Sequence, residues 1–403
     1  MSDLQPRVSK EQLQKARAVI EKTIWDIKIF NAASDKWLEI NRNSVWSYKI
    51  DKILWGWIPE KRIIEIYWEN SSWKTTTCLI AAAAYTRNKK YVLFVDMEQS
   101  VDLDYWLKLG IDPEYFDIFQ PDYGEQAFMS IQWAIESGVY DLIVVDSVAA
   151  LTPKLLVENT AEDTQKIWAL ATLMAQNMPR VQLSLAKSNA TVIFINQTRA
   201  KISLWFSGWY GPQVTTTWGN TLWFFASIRL EVKKWLPIKR WDEEIGRITK
   251  LTTVKNKTYP PKKTCEINLM FDESWNQWWT DSWSEVFDEI VEKDLIGSKG
   301  RYISLTWENI KKENWETIQE TQYLKDYFEK NQISEDSASE LKWVDFLRVY
   351  LKTNPEQFKY LENKIRKGDF SPVVRNENWV VEWFEDKSTW DKKRSKKDKE
   401  KSE

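Results

Sequence analysis

The sequence predicts an α/β protein whose core is a mainly parallel sheet flanked by helices, with a helical arm before it and a small α/β domain after it. Three observations carry this prediction. Short apolar runs stand at 63–67, 91–98, 142–147 and 191–197, and the last three close on acids or amides. Helix-forming stretches around 79–86, 124–137 and 165–187 lie between them. The loop after the first run ends in Lys-Thr and leads directly into one of those helices. Buried strands alternating with helices make a parallel sheet, and ligands of such sheets sit outside the carboxyl ends of the strands.

Taken in order, Ser9-Lys10-Glu11-Gln12 is a capping box that opens a helix with Leu13, Ala16, Ile20 and Ile24 on one face. The strand at 63–67 runs into Trp68-Glu69-Asn70-Ser71-Ser72-Trp73-Lys74-Thr75-Thr76-Thr77. The second strand ends in Asp96 and Glu98, the third delivers Asp146 to its carboxyl edge, and the fourth ends in Asn196 and Gln197. From about 273 a mixed α/β stretch follows, including 284–291 and 301–305, with extra polar sequence around 310–341 and a closing helix over 354–364. The stretch beyond 367 is densely charged and reads as a solvated, disordered tail. The expected organisation is an arm at 1–45, a core at 46–272, a small domain at 273–367 and the tail at 368–403.

Composition removes several function classes. No apolar run approaches the roughly 18 residues of a membrane span, so no membrane partner is expected. Met1-Ser2-Asp3-Leu4-Gln5 lacks the basic-then-apolar order of a signal peptide, and two cysteines make no disulfide framework, so a cytoplasmic protein is expected. Histidine is absent, which excludes a Ser-His-Asp triad, a Cys-His pair and imidazole metal ligation. Lysine and arginine, 57 together, balance 59 acids, so any nucleic-acid contact must be local.

The chain has 26 tryptophans but only 11 glycines, where average usage gives about 28 glycines in this length. Strand, tight loop with Lys-Thr, then helix is the context of a phosphate-binding loop, G-x-x-x-x-G-K-[ST], yet Trp68 and Trp73 stand in both glycine slots. Those slots take glycine because the backbone adopts conformations closed to other residues and presses N–H groups onto phosphate oxygens. An indole at 73 is expected to fill the phosphate space. Two readings stand. The tryptophans are authentic and the loop is degenerate, or many are glycines, since some bacterial lineages read UGA as glycine. The second accounts for the turn positions of Trp55, Trp57, Trp218, Trp235, Trp241, Trp307 and Trp315, whereas Trp106 and Trp343 read as genuine.

Charge assigns the roles. Lys74 is placed to neutralise outer phosphates, Thr75 and Asp146 to hold Mg²⁺, Glu98 to orient an attacking water, and Gln197 to sense the terminal phosphate. One acid after an apolar strand is usually a solvated strand end; four such ends around one Lys-Thr loop point to a nucleoside triphosphatase.

The chain resembles bacterial RecA recombinases. The matching text includes residues 120–127, 144–153, 193–199, 215–220, 226–230 and 254–257, and the similarity runs from about 10 to about 367. Tryptophan replaces the family's glycine at 46, 55, 57, 68, 73, 168, 218, 235 and 241. The resemblance implies an ATP- and Mg²⁺-using, DNA-dependent ATPase that polymerises on single-stranded DNA, pairs it with homologous duplex DNA, exchanges strands and stimulates self-cleavage of the SOS repressor. By position, Glu69, Asn70, Ser71, Ser72 and Thr76 fall with Trp68, Trp73, Lys74 and Thr75 in the nucleotide loop. Asp102 and Tyr105 match adenine contacts, and Lys255 and Lys257 match lysines that reach a neighbouring protomer's ATP. The segment from Arg199 to Trp218 matches the mobile DNA-binding loop, with Lys201 near its start and Phe206 within, the basic and aromatic groups that single strands require. The family's two helix arginines beyond its other DNA loop are Thr172 and Pro179 here, with Arg180 adjacent. The N-terminal helix matches the arm that packs on the next protomer, the 273–367 region a domain that captures duplex DNA. Two alternatives remain at this point: a non-catalytic DNA-binding or filament protein with a dead phosphate loop, if Trp68 and Trp73 are authentic, or another ATPase of the same fold, such as a helicase.

Overall fold

In the computed structural model of the chain, the described residues are 9–24, 40–45, 47–56, 58–68, 73–158, 163–200, 214–216, 221–240, 243–270, 282–293, 295, 348, 351–352, 355–367, 373–375 and 381–383. Helix α1 (Lys10–Thr23) opens on the expected capping box: the Ser9 hydroxyl accepts from the Gln12 N–H and the Gln12 side chain accepts from the Ser9 N–H. Two short strands, β1 (Arg42–Asn43) and β2 (Ile58–Pro59), pair antiparallel around α2 (Tyr48–Ile53).

The core follows as β3 (Ile63–Trp68), α3 (Lys74–Arg87), β4 (Tyr91–Asp96), α4 (Leu103–Lys108), β5 (Phe116–Phe119), α5 (Gly124–Ser137) and β6 (Tyr140–Asp146). It continues through α6 (Lys154–Glu158), α7 (Asp163–Ala186), β7 (Thr191–Ala200), β8 (Val214–Thr216), α8 (Thr221–Phe225), β9 (Ile228–Arg240), β10 (Glu243–Asn256) and β11 (Thr264–Met270). Among the described residues these strands form one sheet in the order β11-β10-β9-β3-β7-β6-β4-β5, with β8 beside β7. Strands β9, β3, β7, β6, β4 and β5 run parallel. The β9–β10–β11 meander and β8 add antiparallel pairs that strand periodicity did not single out.

The two-residue period of the strands divides the core into two layers. Ile64, Ile66, Val92, Phe94, Leu142, Val144, Ile193 and Ile195 pack with α3 on one face. Ile63, Leu93, Val95, Ile143, Val145, Val192 and Phe194 pack with α5 and α7 on the other. Helix α3 is buried at nearly every position from Lys74 to Thr86, which explains its apolar residues on all sides. Trp106 is 4% exposed and packs edge-on to Phe116, the environment of a genuine core tryptophan.

Helices α9 (Ser282–Glu292) and α10 (Pro355–Arg366) build a third cluster, in which Val286, Phe287, Ile290, Phe358, Leu361 and Ile365 meet Tyr48 of α2. Ion pairs Lys49–Asp288, Lys52–Glu289 and Arg366–Asp51 line the same joint. Within the stretch read as a tail, β12 (Val373–Arg375) and β13 (Val381–Trp383) pair antiparallel. The stretch at 301–305 and Trp343 lie outside the described residues.

Candidate nucleotide and DNA site

Parallel register brings the strand ends together. Trp68 pairs with Gln197 across β3 and β7, and Asp96 pairs with Asp146 across β4 and β6. Helix α3 starts at that edge with Lys74 and Thr75 in its first turn, so its free N–H groups and positive dipole end face the strand termini. The Lys74 ammonium donates to the Trp68 carbonyl at 3.2 Å. The Thr75 hydroxyl donates to Asp146 Oδ2 at 2.6 Å. Glu98 accepts from the Ser147 hydroxyl and, at 3.2 Å, from the Gln197 side-chain amide. The four expected strand ends are thus joined around the Lys-Thr turn.

The Asp146 carboxyl is pushed up to about 7, first by burial; the charges of Glu98 and Asp96 add to the rise, while the Thr75 hydrogen bond and Lys74 oppose it. A buried carboxylate with acidic neighbours on one side and a hydroxyl on the other is a place that gains from added positive charge. Asp96 is fully buried; its Oδ2 accepts from the Ser100 N–H and the Gln120 amide, both at 2.9 Å, which ties down the segment carrying Glu98. The Asp96–Gln120 bond and the Ser147–Glu98 bond were missed as functional contacts. Their only sequence signal was an acid and an amide at consecutive strand ends.

Asp102 caps α4, accepting from the Tyr105 N–H at 3.1 Å, and the Tyr105 hydroxyl meets Thr76 Oγ1 at 2.8 Å. Of the two expected adenine residues, Tyr105 therefore stands against α3's first turn and Asp102 holds the helix that carries it. Lys255 and Lys257 are not brought to the Thr75–Asp146 pair. Their ammonium groups bond carbonyls at the end of α8, Lys255 to Trp223 at 2.5 Å and Phe224 at 3.3 Å, Lys257 to Phe224 at 3.4 Å. Arg180 is exposed on α7. The backbone of Arg199 pairs with Thr215 where β8 returns beside β7. Glu69, Asn70, Ser71, Ser72, Lys201, Phe206, the Arg199 side chain, and Trp46, Trp57, Trp218 and Trp241 lie outside the described residues, as does the Trp168 side chain.

Trp73 is the N-cap of α3 at φ 65° and ψ 23°, and Trp55 sits at φ 62° just before Gly56 at 84°. Both are in the left-handed region that glycine occupies without strain. Trp68 and Trp235 are not; they lie in strands with Lys233 and Lys250 over their rings at 4.2 Å and 5.0 Å. The Trp73 ring packs against the α3-side core with Lys234 6.0 Å away.

Residues 11–276 match the family model for the RecA N-terminal domain. The chain belongs to the RecA family. The RecA protein of Petrotoga mobilis is 37% identical over 338 residues, covering 84% of this chain and 82% of that protein. The RecA of Wolinella succinogenes is 41% identical over 249 residues, 62% of this chain and 69% of its own length. The RecA of Helicobacter hepaticus is 40% identical over 272 residues, 67% and 76% respectively. A solved RadB recombinase overlaps with a TM-score of 0.42 at 18% identity, covering 56% of this chain and 96% of its own.

Proposed function

We propose that this RecA-family protein is a DNA-dependent ATPase that forms filaments on single-stranded DNA, pairs that strand with homologous duplex DNA and exchanges strands. Membership in the RecA family supports a role in DNA recombination and repair, and ATP with magnesium is the cofactor pair of this reading. The single observation that supports this chain's own activity is the joined set Lys74, Thr75, Asp146, Glu98, Gln197 at one sheet edge. No described helix is long and apolar enough to cross a membrane, and a cytoplasmic location is part of the same reading.

The donors fit Mg²⁺. A hydroxyl and a buried carboxylate 2.6 Å apart are hard oxygen ligands, and a magnesium ion on a nucleotide needs only one or two protein ligands beside phosphates and waters. The ion would neutralise phosphate charge. Lys74 supplies positive charge to the outer phosphates, and the α3 N-terminus adds its N–H groups. Glu98, held by Ser147, orients water for attack. Gln197 answers the terminal phosphate and stands at the root of the segment Arg199 to Trp218, which we assign, with Lys201 and Phe206, to the DNA contact; Arg180 is a further candidate. Glu69 to Ser72 complete the phosphate loop in this reading, Asp102 and Tyr105 hold the adenine, and Lys255 and Lys257 face the next protomer's nucleotide. Exposed Leu13, Val19, Ile20 and Ile24 on α1 give the arm an apolar surface for a neighbouring subunit. Stimulation of SOS-repressor self-cleavage belongs to the same filament.

We further propose that Trp68 and Trp73, with the other family-glycine positions, are glycine in the native chain. The left-handed φ at Trp55 and Trp73 supports this. The test is ATP hydrolysis with and without single-stranded DNA, for the chain as written and for a version with glycine at 46, 55, 57, 68, 73, 168, 218, 235 and 241. DNA-stimulated turnover in the glycine version alone is the expected result. Turnover in the chain as written would make the tryptophans compatible with the loop, and turnover in neither would leave a non-catalytic DNA-binding protein.

A further inference from the structure

Next to the strand ends lies a row of polar side chains inside the sheet that catalysis does not use. Glu65 of β3 and Asn196 of β7 have no exposed surface, and Arg229 of β9 is 7% exposed. Burying an ion pair in a sheet is costly unless every lone pair and proton is used. Here both carboxylate oxygens of Glu65 are used. Glu65 Oε2 accepts from Arg229 Nε, and Glu65 Oε1 accepts from the Asn196 amide at 2.9 Å. Asn196 Oδ1 then accepts from the Gln197 N–H at 2.8 Å, fixing the peptide from which Gln197 reaches Glu98. In the other direction, Arg229 is stacked over Tyr67 at 4.3 Å and is the register partner of Lys255 on β10. Lys255 in turn grips the Trp223 and Phe224 carbonyls of α8.

The row therefore touches both ends of one segment. Gln197 precedes residues 201–213, and α8 begins at Thr221, just beyond 217–220. Lys255's proton is loosened by burial, by Lys257 and by Arg229, and held by Glu65, so the charges of the row act on Lys255.

We propose that Glu65, Asn196 and Arg229 are positioning residues that couple the nucleotide sensor Gln197 to the far end of the DNA segment through Lys255. This rests on the functional reading above and extends it to three residues that touch neither nucleotide nor DNA. A shift of Gln197 toward a terminal phosphate pulls on Asn196. Asn196 shares Glu65 with Arg229, and Arg229 sets the field in which Lys255 holds α8. One side-chain movement is thus felt at both ends of the segment.

The first test needs no nucleotide. Amide hydrogen exchange would be measured on the full chain and on Glu65→Gln, with Glu65→Gln/Arg229→Gln as the rescue. The neutral glutamine keeps an acceptor for Asn196 but leaves Arg229 uncompensated beside Lys255. Exchange in Glu65→Gln should rise tenfold or more at 197–200 and at 222–226, with β4 and β6 unchanged. The double variant should restore 222–226 because the repulsion on Lys255 is gone. A rise at one end only, a uniform rise in both variants, or no change in a folded Glu65→Gln would overturn the proposal.

The second test separates this inference from the functional reading. In the form that hydrolyses ATP, Glu65→Gln should lose at least tenfold of the stimulation by single-stranded DNA with KM for ATP within twofold. Stimulation kept within twofold would overturn the coupling. An unmutated protein with no DNA-stimulated hydrolysis would overturn the functional reading instead, with the exchange pattern still deciding the coupling.

Discussion

If Trp55 occupies a position built for glycine, a substitution pair reveals it without reference to activity. The residue sits at φ 62°, is 58% exposed, and places its ring 4.4 Å from Tyr259. Trp55→Ala and Trp55→Gly both remove that ring contact, so the difference between them isolates the backbone. A left-handed conformation costs a residue with a Cβ about 1–2 kcal/mol. Glycine's larger freedom in the unfolded chain takes back about 0.4–1 kcal/mol, leaving roughly 0.5–1 kcal/mol in favour of Trp55→Gly. Trp133, inside α5 and 66% exposed, serves as the control. There Trp133→Gly should be less stable than Trp133→Ala by about 0.8–1 kcal/mol. The order of glycine and alanine must therefore reverse between the two sites. Urea unfolding of the four variants measures it, supported by melting temperatures that move about 1–2 °C per kcal/mol in a chain of 403 residues. Alanine matching or exceeding glycine at position 55 would refute the argument that its backbone demands glycine.

Three further outcomes follow from the geometry. Asp146→Asn should cut hydrolysis by about 100-fold or more, the scale of one preorganised electrostatic contact, while leaving the melting temperature at or above the parent's, because it replaces a carboxyl pushed up to about 7 by burial with a neutral isostere. Asp51, beside Arg366 at 3.4 Å and bonded by Ser44 and the Val45 N–H, is also raised from 3.8 to about 7, by burial first, with Glu285 adding to the rise. Between those values the folded chain keeps a proton that the unfolded chain has lost, so this group's contribution to stability falls as pH rises through that window. Asp51→Asn should flatten the pH dependence there by up to about 4 kcal/mol, read from urea unfolding at several pH values. Gly246→Ala puts a Cβ 2.8 Å from the Leu269 carbonyl oxygen and from Met270 Sδ; the backbone oxygen cannot step aside, and a loss of about 1–3 kcal/mol in unfolding free energy is expected.

The strands that carry the site were legible because they are buried on both faces. The runs at 91–98, 142–147 and 191–197 are apolar without alternation and end where a polar residue meets the sheet edge, while the run at 63–67 is apolar around Glu65 and leads into the Lys-Thr loop. The capping box at Ser9 was legible for a different reason: its two hydrogen bonds depend only on residues three apart. Strand β5 was not singled out, because at the sheet margin its residues are largely exposed and its pattern is short. The β9–β10–β11 meander escaped because its outer half mixes lysines, tryptophan and proline with no clean alternation, and register shifts interrupt the β9–β10 pairing. Thr75 and Asp146 could be named from their motifs, but the Glu65–Asn196–Arg229 row could not. Its members are 131 and 164 positions from Glu65 in the chain, and only the sheet order brings them together.

The sheet order also explains why charge collects at this edge. Register places Asp96 beside Asp146 in neighbouring strands, both buried, and the next turn adds the exposed Glu98, so three carboxylates gather at one edge. The charges of Glu98 and Asp96 add to burial in opposing the ionisation of Asp146, and Lys74 offsets this only in part. A fold has no reason of stability to keep such a group: a neutral amide in place of Asp146 would relieve the crowding and still accept from Thr75. The arrangement makes sense when further positive charge arrives with a ligand. In the proposed function the N-terminus of α3 and the ammonium of Lys74 meet the negative groups of that ligand, while Thr75 and Asp146 hold its cation. The same crowding that costs the empty fold thus becomes selectivity for a metal-bearing polyanion over either component alone.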